Sequence, residues 1–158
     1  MISAEEKRLL SSLRREELVR LTQELVRIDS VIRPETGNTE IKVVAYLREW
    51  VRRELELEPL VEEVQPGREN LIVTLDSGRP GPCLVLEGHT DVVSEGERSR
   101  WSVDPVGGEL KEGRIYGRGA CDMKAGLAVN LVVAKALRRA GGPPRGRLRL
   151  ALVCDEEN

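Results

Sequence analysis

Apolar positions recur along this chain in two rhythms, one helical and one of period two. Leu18, Leu21, Leu25 and Ile28 stand at helical spacing, and Ser3 with Glu6 makes a capping box, so a helix is predicted over about 3–28. Arg33-Pro34-Glu35-Thr36-Gly37 breaks the chain. A second helix is predicted over about 39–55, with Val44, Leu47, Val51 and Leu55 on one face. Residues 60–64 and 70–75 read as strands. A Pro- and Gly-rich loop at 76–82 leads into a buried strand, Cys83-Leu84-Val85-Leu86. Residues 95–100 form a polar loop, and Arg114-Ile115-Tyr116 has strand character. A third helix should run from near Asp122 to about Arg139, with Leu127, Leu131, Ala134 and Leu137 apolar and Gly141-Gly142-Pro143-Pro144 stopping it. The last segment alternates Leu148, Leu150 and Leu152 against Arg147, Arg149 and Ala151, the pattern of a one-sided strand. Helices alternating with strands imply a layered α/β domain with a largely parallel sheet.

Three polar clusters fall where strands should end. Gly88-His89-Thr90-Asp91 follows the run at 83–86. Gly117-Arg118-Gly119-Ala120-Cys121-Asp122 follows Tyr116, and Asp155-Glu156-Glu157 follows Val153. In an open α/β sheet, ligands gather outside the carboxyl ends of the strands. Three such ends would pool one imidazole and several carboxylates, the donor set of a catalytic divalent metal site.

Composition narrows the field. With 158 residues, 40% apolar and 33% charged, the chain suits one soluble globular domain. A net charge of −2 gives no basic face, which argues against a nucleic-acid partner. No run approaches the roughly 18 apolar residues of a membrane span. The first 30 residues carry charges throughout, with no apolar core for a signal peptide. Cys83, Cys121 and Cys154 form no C-x-x-C pair and suit a reducing cytosol, so a cytoplasmic location is expected.

Each cluster also has a plainer reading. His89 is the chain's only histidine, and a lone histidine is commonly structural. Its place at a strand end, with Asp91 two residues on, suits a ligand whose second ring nitrogen is held by an acceptor. Asp122 taken alone reads first as the N-cap of the following helix, since aspartate is a favoured cap. Gly117-Arg118-Gly119 invites a dinucleotide-binding turn, but the third glycine of that fingerprint is replaced by Asp122. A carboxylate there repels a pyrophosphate and attracts a cation. Asp155-Glu156-Glu157 reads as a solvated acidic turn, or as a ligand beside a general base.

Four segments together carry a resemblance: Gly88-His89-Thr90-Asp91-Val92-Val93, Trp101-Ser102-Val103-Asp104-Pro105, Gly117-Arg118-Gly119-Ala120-Cys121-Asp122-Met123-Lys124 and Asp155-Glu156-Glu157. In this order they resemble the zinc metallopeptidases that include acetylornithine deacetylase, succinyl-diaminopimelate desuccinylase, aminoacylase and glutamate carboxypeptidases. The resemblance implies part of a three-layer α/β/α fold. It implies two divalent metal ions, zinc foremost, with cobalt or manganese also compatible with such donors. His89 would be a ligand to one ion, Asp122 would bridge both and Glu157 would bind the second. Glu156 would be the general base and Asp91 would orient His89. A bridging water of lowered pKa would attack the amide of an N-acyl amino acid or short peptide.

The same resemblance covers only the first part of a family member. Residues 1–158 are then the N-terminal part of the catalytic domain. The family's dimerisation domain, which can make the full-length form a homodimer, and the later carboxylate and histidine ligands would lie elsewhere. The isolated chain is therefore expected to bind metal weakly and to be inactive. Two other readings remain open, a non-catalytic interaction module and a vestigial α/β domain of the same fold.

Overall fold

The computed structural model describes residues 2–157. Where one long N-terminal helix is predicted, there are two, α1 (Ala4–Ser12) and α2 (Arg15–Val26). The capping box at Ser3 and Glu6 is present, with Glu6 N–H donating to Ser3 Oγ at 3.1 Å. Leu13 and Arg14 are extended and turn the chain between the helices. Neither residue is a helix breaker, so no sequence signal marks the corner. Helix α3 (Ile41–Leu55) buries Val44, Leu47, Val51 and Leu55, the predicted stripe, together with Val43 and Trp50.

Strands β1 (Leu60–Gln65) and β2 (Arg68–Asp76) form a hairpin around Pro66 and Gly67. Gly67 has φ +74°, a conformation the tight turn needs and glycine adopts at little cost. Strand β3 (Cys83–His89) follows. A small second hairpin comes next, β4 (Glu109–Lys111) and β5 (Arg114–Tyr116), then helix α4 (Ala125–Arg139) and strand β6 (Arg147–Val153).

The main sheet has the order β1-β2-β6-β3. It is mixed: β1 and β6 run antiparallel to β2, and only β3 and β6 are parallel. The parallel character read from the sequence is thus confined to one ladder, the one joined by a long crossover through α4. The other sequential pair is tied by a two-residue turn, which permits only antiparallel pairing.

Leu71, Val73 and Leu75 of β2 stand opposite Leu152, Leu150 and Leu148 of β6, all buried on one face. That face meets Leu21, Leu25, Leu47, Val51, Leu127 and Leu131 in one core. Burying each such side chain contributes about 1.5–3 kcal/mol. Among the described residues the helices lie on this face, and the opposite face carries Arg147, Arg149 and Val85 in the open. The third layer of the expected architecture is not among these residues. No helix among them is long and apolar enough to cross a membrane.

Candidate metal centre

The parallel β3–β6 ladder fixes the site. His89 stands opposite Val153, so both strands end at the same edge of the sheet. Thr90 binds the Val153 carbonyl twice, through its N–H at 2.8 Å and its Oγ1 at 3.0 Å. The chain after β6 therefore leaves beside His89 and brings Glu156 and Glu157 with it.

Asp122 arrives from the other side. It lies in an irregular turn, Ala120–Lys124, with φ −122° and ψ 96°, and α4 begins only at Ala125. The N-cap of α4 is Lys124, and no side chain caps the helix. The helix-cap reading of Asp122 thus falls, because the cap position is two residues further on and the Asp122 carboxylate bonds no N–H of the first turn of α4. Gly119 opens the turn with φ +75°, and a β-carbon there would run into Val92. Lys124 anchors the turn from below: the residue is 1% exposed, and its ammonium donates to the Ile28 carbonyl at 2.6 Å. Burial pulls the Lys124 pKa down to about 8, against the pull of Asp29. The two glycines of Gly117-Arg118-Gly119 serve this close packing, since Gly117 likewise faces Val26.

These turns meet around His89, which is 4% exposed. One atom each of His89, Glu156 and Glu157 falls within a mutual 4.8 Å. His89 Nε2 lies 3.0 Å from Asp122 Oδ1 and 3.8 Å from Glu156 Oε2. Asp122 and Glu156 open to solvent, with side chains 72% and 59% exposed. The result is a buried ring rimmed by accessible carboxylates, so that both glutamates approach His89 from the solvent side.

Asp91 behaves differently from the role the resemblance gives it. His89 Nδ1 lies 2.9 Å from the main-chain carbonyl of Asp91, whereas the Asp91 carboxylate is 3.8 Å away. That fully buried carboxylate instead accepts the N–H of Glu157 at 2.9 Å and of Glu156 at 3.3 Å. The carbonyl orients the ring; the carboxylate holds the loop after β6. The two-residue spacing read from the sequence is correct, but in a tight turn after a strand the carbonyl reaches the ring before the side chain does.

The ring geometry tests whether a cation suits the site. A carbonyl only accepts, so Nδ1 must carry a hydrogen. On the other side Nε2 faces a carboxylate, again only an acceptor. Without a cation the ring must be protonated to satisfy both. Burial opposes this, but the Asp122 hydrogen bond, the Asp91 carbonyl and the two carboxylate charges together raise the His89 pKa. A divalent cation between Nε2 and the carboxylates would replace that proton and meet all the acceptors at once. The donors present fit such an ion.

The profile of peptidase family M20/M25/M40 matches residues 85–158, the stretch that holds every residue named above for metal binding. The chain is a partial-length homologue of the members of this family. The M20 family comprises metallohydrolases acting on amide bonds. Among its curated relatives, the succinyl-diaminopimelate desuccinylase of Methylobacterium radiotolerans is 39% identical over 140 residues. That match covers 88% of this chain and 34% of the relative, so the chain spans about a third of the M20 enzyme it matches. The fold agrees with the M20 metallo-carboxypeptidase Sso-CP2 of Sulfolobus solfataricus, with a TM-score of 0.76 at 23% identity, covering 87% of this chain and 30% of that one. It agrees equally with human carnosine dipeptidase 1, at 0.76 and 21% identity, covering 96% and 34%.

Proposed function

We propose that this chain is the N-terminal part of the catalytic domain of a metal-dependent amidohydrolase that cleaves N-acyl amino acids or short peptides. The observation that carries this reading is the meeting of His89, Glu156 and Glu157 within 4.8 Å, with Asp122 bonded to the same ring. In this reading His89, Asp122 and Glu157 contribute donors to two divalent ions, zinc foremost, and further ligands come from the rest of a longer protein. Bound there, the ions supply Lewis-acid polarisation of the amide carbonyl and a lowered pKa for water.

The chain's own residues do the rest. Asp91 fixes the backbone of Glu156 and Glu157. Its carbonyl keeps the His89 hydrogen on Nδ1 and leaves Nε2 as the donor. Glu156 has an accessible carboxylate beside the ring and acts as general base. As water oxygen bonds to the amide carbon, Glu156 takes the water proton. As the carbon–nitrogen bond breaks, it delivers that proton to the leaving amine.

The names of the curated relatives favour an N-succinyl amino acid, a substrate with a free carboxylate, as the acyl group and its carrier. The three free cysteines support a reducing cytoplasm as the location.

The test uses the protein expressed over its whole reading frame. Hydrolysis of N-succinyl and N-acetyl amino acids is followed with and without a chelator, and after Glu156→Ala. The reading requires chelator-sensitive turnover that Glu156→Ala abolishes while metal content is kept. Turnover that survives either treatment removes it.

A further inference from the structure

The loop that carries Glu156 and Glu157 is tied to the body of the sheet by a buried cation. Arg68, the first residue of β2, is 11% exposed along its side chain. Its Nε lies 2.9 Å from Glu40 Oε1, and Glu40 is completely buried beneath the start of α3. Its Nη1 lies 2.5 Å from Asp155 Oδ1. Its Nη2 is buried without a partner, so the guanidinium is committed to these two carboxylates. Asp155 directly precedes Glu156 and holds φ +67°, a left-handed conformation uncommon outside glycine that aspartate tolerates better than most residues.

We infer that Arg68 is a positioning residue for Glu156 and Glu157, acting through Asp155; the inference rests on the proposed metal site for its functional meaning. Three polar ties hold the loop. Asn70 Oδ1 accepts the N–H of Cys154 at 2.9 Å, the Asp91 carboxylate accepts those of Glu156 and Glu157, and Arg68 grips the Asp155 side chain. Only the Arg68 tie reaches the one residue whose backbone is left-handed, where the chain turns the two glutamates back toward His89. A guanidinium suits the task because its planar fork engages two carboxylates at once, whereas a lysine ammonium is a point charge. Glu40 completes the device: by neutralising Arg68 inside the protein it holds the fork in one orientation.

Arg68→Lys keeps a cation beside Glu40 and gives up the grip on Asp155. Asp155→Asn leaves the Arg68–Glu40 pair intact, tolerates the left-handed backbone and removes the charge. Neither change leaves Glu40 without a cation. In hydrogen exchange, both variants should lose protection at the amides of Glu156 and Glu157, while the amides of α4 and β2 keep theirs. The double variant should lose no more than the larger single one, because both break the same tie. Cobalt(II) affinity should fall about tenfold in each, the low end for removing a partner that orients a metal ligand. Unchanged exchange at Glu156 and Glu157 in Arg68→Lys, or a loss spread evenly over the chain, overturns the inference. Selective loss of protection in a chain that takes up no cobalt would leave Arg68 as the loop's anchor and overturn the metal reading instead.

Discussion

The buried carboxylate of Asp91 accepts the main-chain N–H of Glu157 at 2.9 Å, and through its other oxygen that of Glu156 at 3.3 Å. The end of β3 thereby sets the backbone of the loop after β6. His89 is held by a different atom of the same residue, the Asp91 carbonyl. The two tasks are separable by mutation. Asp91→Asn keeps the shape but turns one acceptor into a donor facing an N–H. It should weaken divalent-metal binding by about ten- to a hundredfold and cost roughly 1–2 kcal/mol of stability. The His89 Nδ1 hydrogen should keep its NMR signal in the variant, because the carbonyl remains. Loss of that signal would return the orienting role to the side chain.

Gly119 should resist substitution for two reasons that can be measured apart. Its φ is +75°, and a β-carbon there meets Val92, with the Asp122 carbonyl and Lys124 Cδ at 3.3 Å. Gly113 has nearly the same φ, +77°, and nothing within 4 Å. Gly113→Ala should cost about 1 kcal/mol, the left-handed penalty alone. Gly119→Ala should cost about 1–3 kcal/mol more, from overpacking beneath the turn that carries Asp122. Urea unfolding of the two variants gives the comparison, and equal costs would mean that Val92 yields freely.

Lys135 gives the fold an acid-sensitive tie away from the His89 site. Its side chain is 7% exposed, and its ammonium pairs with Glu54 at 2.5 Å and with Glu17 and stands 5.8 Å from the centre of the Trp50 ring. The hydrogen bond from Lys135, followed by that from Arg53, holds the Glu54 pKa at about 2 against the opposing effect of burial, down from 4.5. A carboxylate whose pKa is lower in the folded state stabilises fully above its unfolded pKa. That contribution fades as pH falls from 4.5 toward about 2. Glu54→Gln should therefore lower stability by on the order of 2 kcal/mol near neutral pH and make almost no difference at about pH 2. Denaturant unfolding at the two pH values checks this, and a difference that persists in acid would contradict it.

The site was largely legible in the sequence because strand ends concentrate chemistry. The alternation of Leu148, Leu150 and Leu152 places β6 and its inner face, and the polar cluster after each strand then points to the shared edge. The break at Leu13 and the irregular turn at Asp122 were not legible, since neither carries proline: the helices on either side of Leu13 both pack on α4, and the Asp122 turn packs against α4, α2 and β3. Strand β4 also escaped, although Glu112-Gly113 before Arg114 is a usable turn signal. The Arg68–Glu40–Asp155 tie was invisible for a deeper reason. Its members are 28 and 87 residues apart, and arginine and glutamate are ordinarily surface residues, so no local pattern separates a buried pair from a solvated one.

His89 is the chain's only histidine, so its ring can be watched directly by nitrogen NMR while zinc is added to the 158-residue protein. The metal account predicts that Nε2 loses its proton and shifts as zinc binds, that Nδ1 keeps its hydrogen against the Asp91 carbonyl, and that Asp122→Ala weakens the response. Ring signals that stay unchanged at saturating zinc would contradict it.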